Sequence, residues 1–163
     1  MLSPRQQRLE SDYQKVRERF DADPNISVQA IGPYPFEKYQ VTYELASLRL
    51  DAKSRPILAH RTTIDFELPM RYPTEKPRAV SRDTVFHPNF GSWVCIADFW
   101  SPAQSLADIF IEVGEMLQWQ RFNIQSPLNA AAADWAVKNA SELPVGNVDL
   151  HSNAKLPEIN IKN

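Results

Sequence analysis

Between Ile26 and Val80, apolar residues recur at every second position in short runs, and prolines fall between the runs rather than inside them. Ile26, Val28 and Ala30 make one run; Tyr39, Val41, Tyr43 and Leu45 a second; Ile64, Phe66 and Leu68 a third. A period of two is the signature of a strand with one buried face. Proline has no N–H to give to a ladder, so Pro33, Pro35, Pro69, Pro73 and Pro77 mark the turns. A polar turn around Ala52 to Pro56 separates the second run from the third, and Arg78 to Val80 adds a short final strand. The pattern predicts an antiparallel meander joined by stiff turns.

Helical signals flank the meander. Ser3-Pro4-Arg5-Gln6 reads as a helix start, with serine at the cap, proline in the first turn and glutamine three residues after the cap. Leu9, Tyr13, Val16 and Phe20 follow at helical spacing and leave Arg8, Lys15, Arg17 and Arg19 mostly toward water. Asp21 to Asn25 ends this helix. Farther on, Ser105 and Asp108 form a capping pair ahead of an apolar stripe of Leu106, Ile109, Phe110, Val113, Met116 and Leu117, which predicts the main core helix. The alanines from Ala130 to Ala133 favour a further short helix. From Ser141 onward no periodicity is sustained. The fold class is therefore α+β, with a domain over 1–140 and a flexible or partner-bound tail over 141–163, in which Leu150, Leu156, Ile159 and Ile161 are suited to anchor an extended peptide.

Composition narrows the function. With 43% hydrophobic residues in a chain of 163, a core forms without covalent staples, and one cysteine permits no internal disulfide. The polar N-terminus and the lack of any run of about 20 apolar residues predict no signal peptide and no membrane partner, with a reducing cytoplasm as the setting. A formal charge of -2 with no basic block argues against nucleic acid. Thirteen prolines against four glycines favour stiffened loops over Gly-rich phosphate cradles, and no P-loop or dinucleotide fingerprint occurs. One cysteine and three scattered histidines supply no metal-ligand pairs, so no metal is expected.

That cysteine, Cys95, lies between a His87-Pro88-Asn89 turn and a Trp100-Ser101-Pro102-Ala103 turn. A lone cysteine is usually a small buried hydrophobe. Held between two rigid loops it suits acyl transfer, because a free thiol, titrating at about 8.5, is intrinsically nucleophilic and forms a reactive thioester. A serine ester would be too sluggish for onward transfer.

The order of helix, meander, His-Pro-Asn turn, cysteine, Trp-Ser-Pro-Ala turn and helix resembles that of ubiquitin-conjugating enzymes. The resemblance covers residues 1 to 140 and rests on Tyr72-Pro73 with Pro77, His87-Pro88-Asn89, Cys95, Trp100-Ser101-Pro102-Ala103, and Pro127-Leu128-Asn129 before the alanines. Each element alone is common; five in register are specific. The resemblance implies a fold with an N-terminal helix, a four-stranded antiparallel meander, an active-site loop, a central helix and one further short helix, lacking the usual two C-terminal helices.

It also implies that Cys95 takes the C-terminal acyl group of a ubiquitin-like protein from an activating enzyme and yields it to an amine of a target protein. ATP is used by the activating enzyme, and this chain needs no cofactor. A lysine amine near pKa 10.4 is almost wholly protonated at pH 7, and deprotonating it costs about 4 to 5 kcal/mol. Ser126 matches the residue lining the amine gate and is expected to position and desolvate rather than ionise. Asn89 matches the family asparagine, which either donates to the oxyanion, an interaction worth about 2.7 to 4 kcal/mol, or holds the loop in shape. His87, Pro88 and Trp100 are expected to support the active-site loop. Arg5, Arg8 and Lys15 on the first helix, with Pro102 and Ala103, are expected to meet partners.

The chain departs from the family pattern. Only five residues separate Asn89 from Cys95 and four separate Cys95 from Trp100, fewer than in eukaryotic members, which predicts a more open thiol. Thr74 stands where many members carry an apolar ligase contact. The short connections and the missing C-terminal helices resemble conjugating enzymes of bacterial ubiquitin-like operons, some of which serve in antiphage defence. Two other readings remain: a catalytically silent variant that binds ubiquitin-like proteins or peptides, and a cysteine hydrolase pairing Cys95 with His60, His87 or His151.

Overall fold

A computed structural model describes residues 1–96 and 100–152. The first helix, α1, spans Pro4–Phe20. Its start is the anticipated capping box: Ser3 Oγ accepts from the Gln6 N–H at 3.2 Å, and Gln6 Oε1 accepts from the Ser3 N–H at 2.9 Å. Leu9, Val16 and Phe20 are buried, as the spacing requires. The fourth inward position belongs to Asp12, 1% exposed, while Tyr13 is only partly buried, against the rings of Tyr34 and Phe36.

Strands β1 (Ile26–Ile31), β2 (Lys38–Tyr43), β5 (Thr62–Glu67) and β6 (Arg78–Ser81) form one antiparallel sheet in the order β1-β2-β5-β6. Val41 pairs with Val28 on one side and Ile64 on the other, so the alternating residues from three strands share one face. Helix α2 (Leu106–Leu117) lays Ile109, Phe110, Val113, Met116 and Leu117 over that face. Phe110 meets Phe20, Tyr39 and Phe66, and the Tyr43 hydroxyl donates to the Phe110 carbonyl at 2.9 Å. Ser105 and Asp108 make the second capping box.

One pair of strands was not legible. The chain between β2 and β5, read as a polar turn from Ala52 to Pro56, makes its own hairpin of β3 (Ser47–Leu50) and β4 (Pro56–Ala59). The strands are four residues each and show no alternating burial, so no period of two marks them. Leu48 joins a second core with Phe86, Trp119, Ala132 and Ala136, closed by Trp135, Leu143 and Val145. Helix α3 (Ala130–Lys138) thus packs its alanines closely as well as forming readily. Trp119 ends α2 at φ 59°, a left-handed conformation costly for a bulky residue, and its buried ring contacts with His87, Phe122 and Trp135 hold it there.

The packed unit does not stop at residue 140. The Val145 N–H donates to the Gln118 carbonyl at 2.9 Å, the Val148 N–H donates to Gln118 Oε1 at 2.9 Å, and Gln120 Nε2 donates to the Gly146 carbonyl at 3.0 Å. Leu150, 1% exposed, enters the main core, and Arg19 holds its carbonyl. Residues 143–150 therefore form a strap across the end of α2, and the boundary expected at 140 moves to at least Leu150. Isolated apolar residues held by the amides of buried Gln118 and exposed Gln120 leave no periodic trace. Leu156, Ile159 and Ile161 lie outside the described residues. No helix among the described residues is long and apolar enough to cross a membrane.

Candidate active site

Burial alternates strictly through the cysteine segment: Trp93 is exposed, Val94 is 3% exposed, Cys95 is half-buried and Ile96 is 1% exposed. Val94 is docked on the sheet, its N–H donating to the Ala79 carbonyl at 2.8 Å, and it bridges to Phe90. Val94 and Ile96 are inward, and Cys95 and Trp93 alternate with them as the more exposed residues. The Cys95 N–H donates to the Asn89 carbonyl at 2.9 Å, which ties the cysteine to the preceding turn.

Asn89 is 4% exposed and both ends of its amide are occupied. Nδ2 donates to the Asn123 carbonyl at 3.0 Å and Oδ1 accepts from the Asn123 N–H at 2.8 Å. Pro88 completes the junction, its carbonyl accepting from Leu128 at 2.8 Å and Asn129 at 3.0 Å. Gly91 fits between these loops because it lacks a Cβ, which would stand 3.2 Å from Leu128 Cβ. The turn, the cysteine segment and the 123–129 loop thus form one body. The Asn89 amide is thus spent on joining two loops.

His87 braces the same body from beneath. The Asn89 N–H donates to Nδ1 at 3.0 Å, so the ring proton sits on Nε2 and donates to the Arg121 carbonyl at 3.1 Å. Burial lowers its pKa to about 3, outweighing the opposite pull of the Arg121 carbonyl. A neutral ring with both nitrogens engaged is no general base. His60 is exposed in the β4–β5 turn and His151 pairs with Glu115 at 2.7 Å. No hydrolase dyad is assembled from these partners.

Trp100 stacks obliquely on Tyr72, ring centroids 5.7 Å apart. The Tyr72 hydroxyl donates to Asp12 Oδ2, and Arg8 Nε meets the same oxygen at 2.7 Å. Oδ1 of Asp12 accepts from the Leu106 N–H at 3.0 Å, at the N-terminus of α2, where negative charge is favoured. Arg8 also donates to the carbonyls of Pro102 and Gln104. Arg8, expected to face a partner, is instead an internal clamp from α1 onto the 100–104 loop. Arg5 is likewise held, by Glu37 at 2.8 Å and the Pro69 carbonyl at 3.0 Å. Lys15, Pro102, Ala103 and Ser126 are exposed.

The family model for ubiquitin-conjugating enzymes matches residues 59–145, more than half the chain. The chain belongs to this family. Among solved structures, S. cerevisiae Ubc12 superposes with a TM-score of 0.62 at 23% identity, covering 87% of this chain and 74% of that one. A structure described as a novel ubiquitin-conjugating enzyme gives a TM-score of 0.60 at 19% identity, covering 83% and 86%. No curated protein sequence matches the chain. The ubiquitin-conjugating fold inferred from the motif order is thus the observed one.

Within this ubiquitin-conjugating domain, sequence reasoning missed Asp12, Asn123 and Trp93. Asp12 sits one position from an apolar helical slot and Asn123 lies 34 residues from its partner, so neither announces itself. Trp93 was findable, because Val94 and Ile96 alternate with it and with Cys95 at a period of two. No group of His, Cys, Asp and Glu that could hold a metal occurs among the described residues.

Proposed function

We propose that the protein carries a ubiquitin-like protein as a thioester on Cys95 and transfers it to an amine of a target protein. The observation that supports this most is a free, only half-buried Cys95 on a segment whose alternate residues are locked in the core. An activating enzyme that uses ATP delivers the acyl group; its carbon passes from the enzyme's sulfur to Cys95 Sγ, and the departing thiolate takes the proton. In the second step the amine nitrogen attacks the same carbon, the C–S bond breaks, and Sγ leaves as thiolate and takes up the proton that the nitrogen gives up as the amide forms.

The residues around Sγ hold rather than ionise. Asn89 and Pro88 fix the loop, and Ser126, exposed before Pro127, positions the incoming amine without acting as a base. Lys15, Pro102 and Ala103 remain open to partners, whereas Arg5 and Arg8 act within the domain. The protein itself needs no metal or cofactor. The short loops around Cys95 favour a place in a compact bacterial ubiquitin-like conjugation system of the cytoplasm, acting against phage.

Mixing the protein with its activating enzyme, ATP and modifier yields a charged species lost on adding thiol. Cys95→Ala abolishes it and Cys95→Ser traps a thiol-resistant ester. If the wild type never becomes charged with a proven partner pair, carriage is wrong and a silent binding module of the same fold takes its place.

A further inference from the structure

We propose that Trp93 is a positioning residue that lies over the acyl–sulfur bond formed at Cys95 and keeps water from it. This rests on the thioester reading above. The indole is 54% exposed and makes no ring contact among the described residues, whereas Trp119 is 1% exposed and Trp100 and Trp135 pack against aromatic neighbours. A large apolar ring left in water beside a nucleophile is informative where scattered aliphatics are not.

Its placement is fixed by the backbone. The Phe90–Val94 bridge and the Gly91 N–H to Trp93 carbonyl bond of 3.0 Å close the hairpin, and Gly91 seats its tip against Leu128. Residues two apart in the chain have Cα atoms at most about 7 Å apart, within reach of an indole lying across the gap. Once Cys95 is acylated, the ring finds its apolar partner in the acyl chain, and bulk water loses one approach to the carbonyl carbon. The amine enters from the Ser126 side, so the indole shifts the partition between the two nucleophiles: hydrolysis, in which water oxygen attacks and Sγ leaves, is slowed more than aminolysis.

The test needs no activating enzyme. A peptide with a C-terminal thioester of 2-sulfanylethanesulfonate exchanges onto Cys95, the only thiol, releasing the small thiol; intact mass then follows loss of the acyl group with and without a lysine-mimicking amine. Trp93→Ala should hydrolyse roughly threefold to tenfold faster with aminolysis changed much less, and Trp93→Phe should restore most of the protection. Equal hydrolysis in wild type and Trp93→Ala, both folded by circular dichroism, overturns the shielding role. Failure of wild type to acylate at all indicts the accessible nucleophile, and with it the thioester reading.

Discussion

Asn89 and Asn123 exchange two hydrogen bonds, amide Nδ2 to carbonyl at 3.0 Å and main-chain N–H to Oδ1 at 2.8 Å, across 34 residues of chain. This pairing gives the loop beneath Cys95 its second anchor, because the Asn89 carbonyl already receives the Cys95 N–H. Asn89→Ala removes both of these bonds and should lower stability by about 1 to 3 kcal/mol, measured by urea denaturation. Asn89→Asp keeps the acceptor but turns an oxygen on the Asn123 carbonyl, and should be at least as damaging. Full stability in Asn89→Ala together with lost transfer to lysine would return the residue to oxyanion stabilisation.

His87 makes the fold sensitive to acid. Its pKa is about 3 in the native protein because of burial, against about 6.5 in an unfolded chain. Between those values the unfolded chain binds a proton the native state refuses, so this contribution is complete above pH 6.5 and declines as pH falls, by about 1.4 kcal/mol per unit. His87→Gln should be less stable than wild type at pH 7 yet show a shallower loss between pH 6 and 4. Parallel stability curves for the two proteins would remove His87 as the cause.

The meander and both capping boxes were legible because they depend on neighbours within four residues: Ser3 with Gln6, Ser105 with Asp108, and the alternation of Tyr39, Val41 and Tyr43. The motifs around Cys95 were legible as a resemblance. The supports of the site were not, since Asn89 meets Asn123, Arg8 meets Gln104 and Tyr72 meets Asp12 across 34, 96 and 60 residues. Charge on α1 misled for a physical reason: a long guanidinium side chain near a helix start reaches inward to carbonyls as readily as outward to solvent.

Asp12 tests that inward arrangement. Removing one member of a fully buried ion pair costs about 3 to 5 kcal/mol, but the Arg8 side chain keeps 22% of its surface in water. Asp12→Ala should therefore cost nearer 2 to 3 kcal/mol by the same reasoning, with part of the loss coming from the uncapped Leu106 N–H. A double-mutant cycle with Arg8→Ala should show coupling of about 1 kcal/mol or more. Purely additive losses would mean that the two side chains do not share the clamp.

Gly114 and Leu150 decide whether the strap belongs to the domain. A Cβ on Gly114 would lie 2.6 Å from Leu150 Cδ1 and 3.3 Å from both Leu45 Cδ1 and Tyr43 Cε1. Helix propensity alone favours Gly114→Ala by about 1 kcal/mol, whereas overpacking a tight core costs about 1 to 3 kcal/mol. The collision should win, so Gly114→Ala destabilises. Leu150→Ala removes a buried side chain and should cost about 2 to 4 kcal/mol. Because the new methyl then enters the space Leu150 vacates, the double variant should be more stable than the sum of the two losses by about 1 kcal/mol. If thermal or urea melts show the two changes adding, Leu150 is not seated against α2 and residues 143–150 are a tail after all.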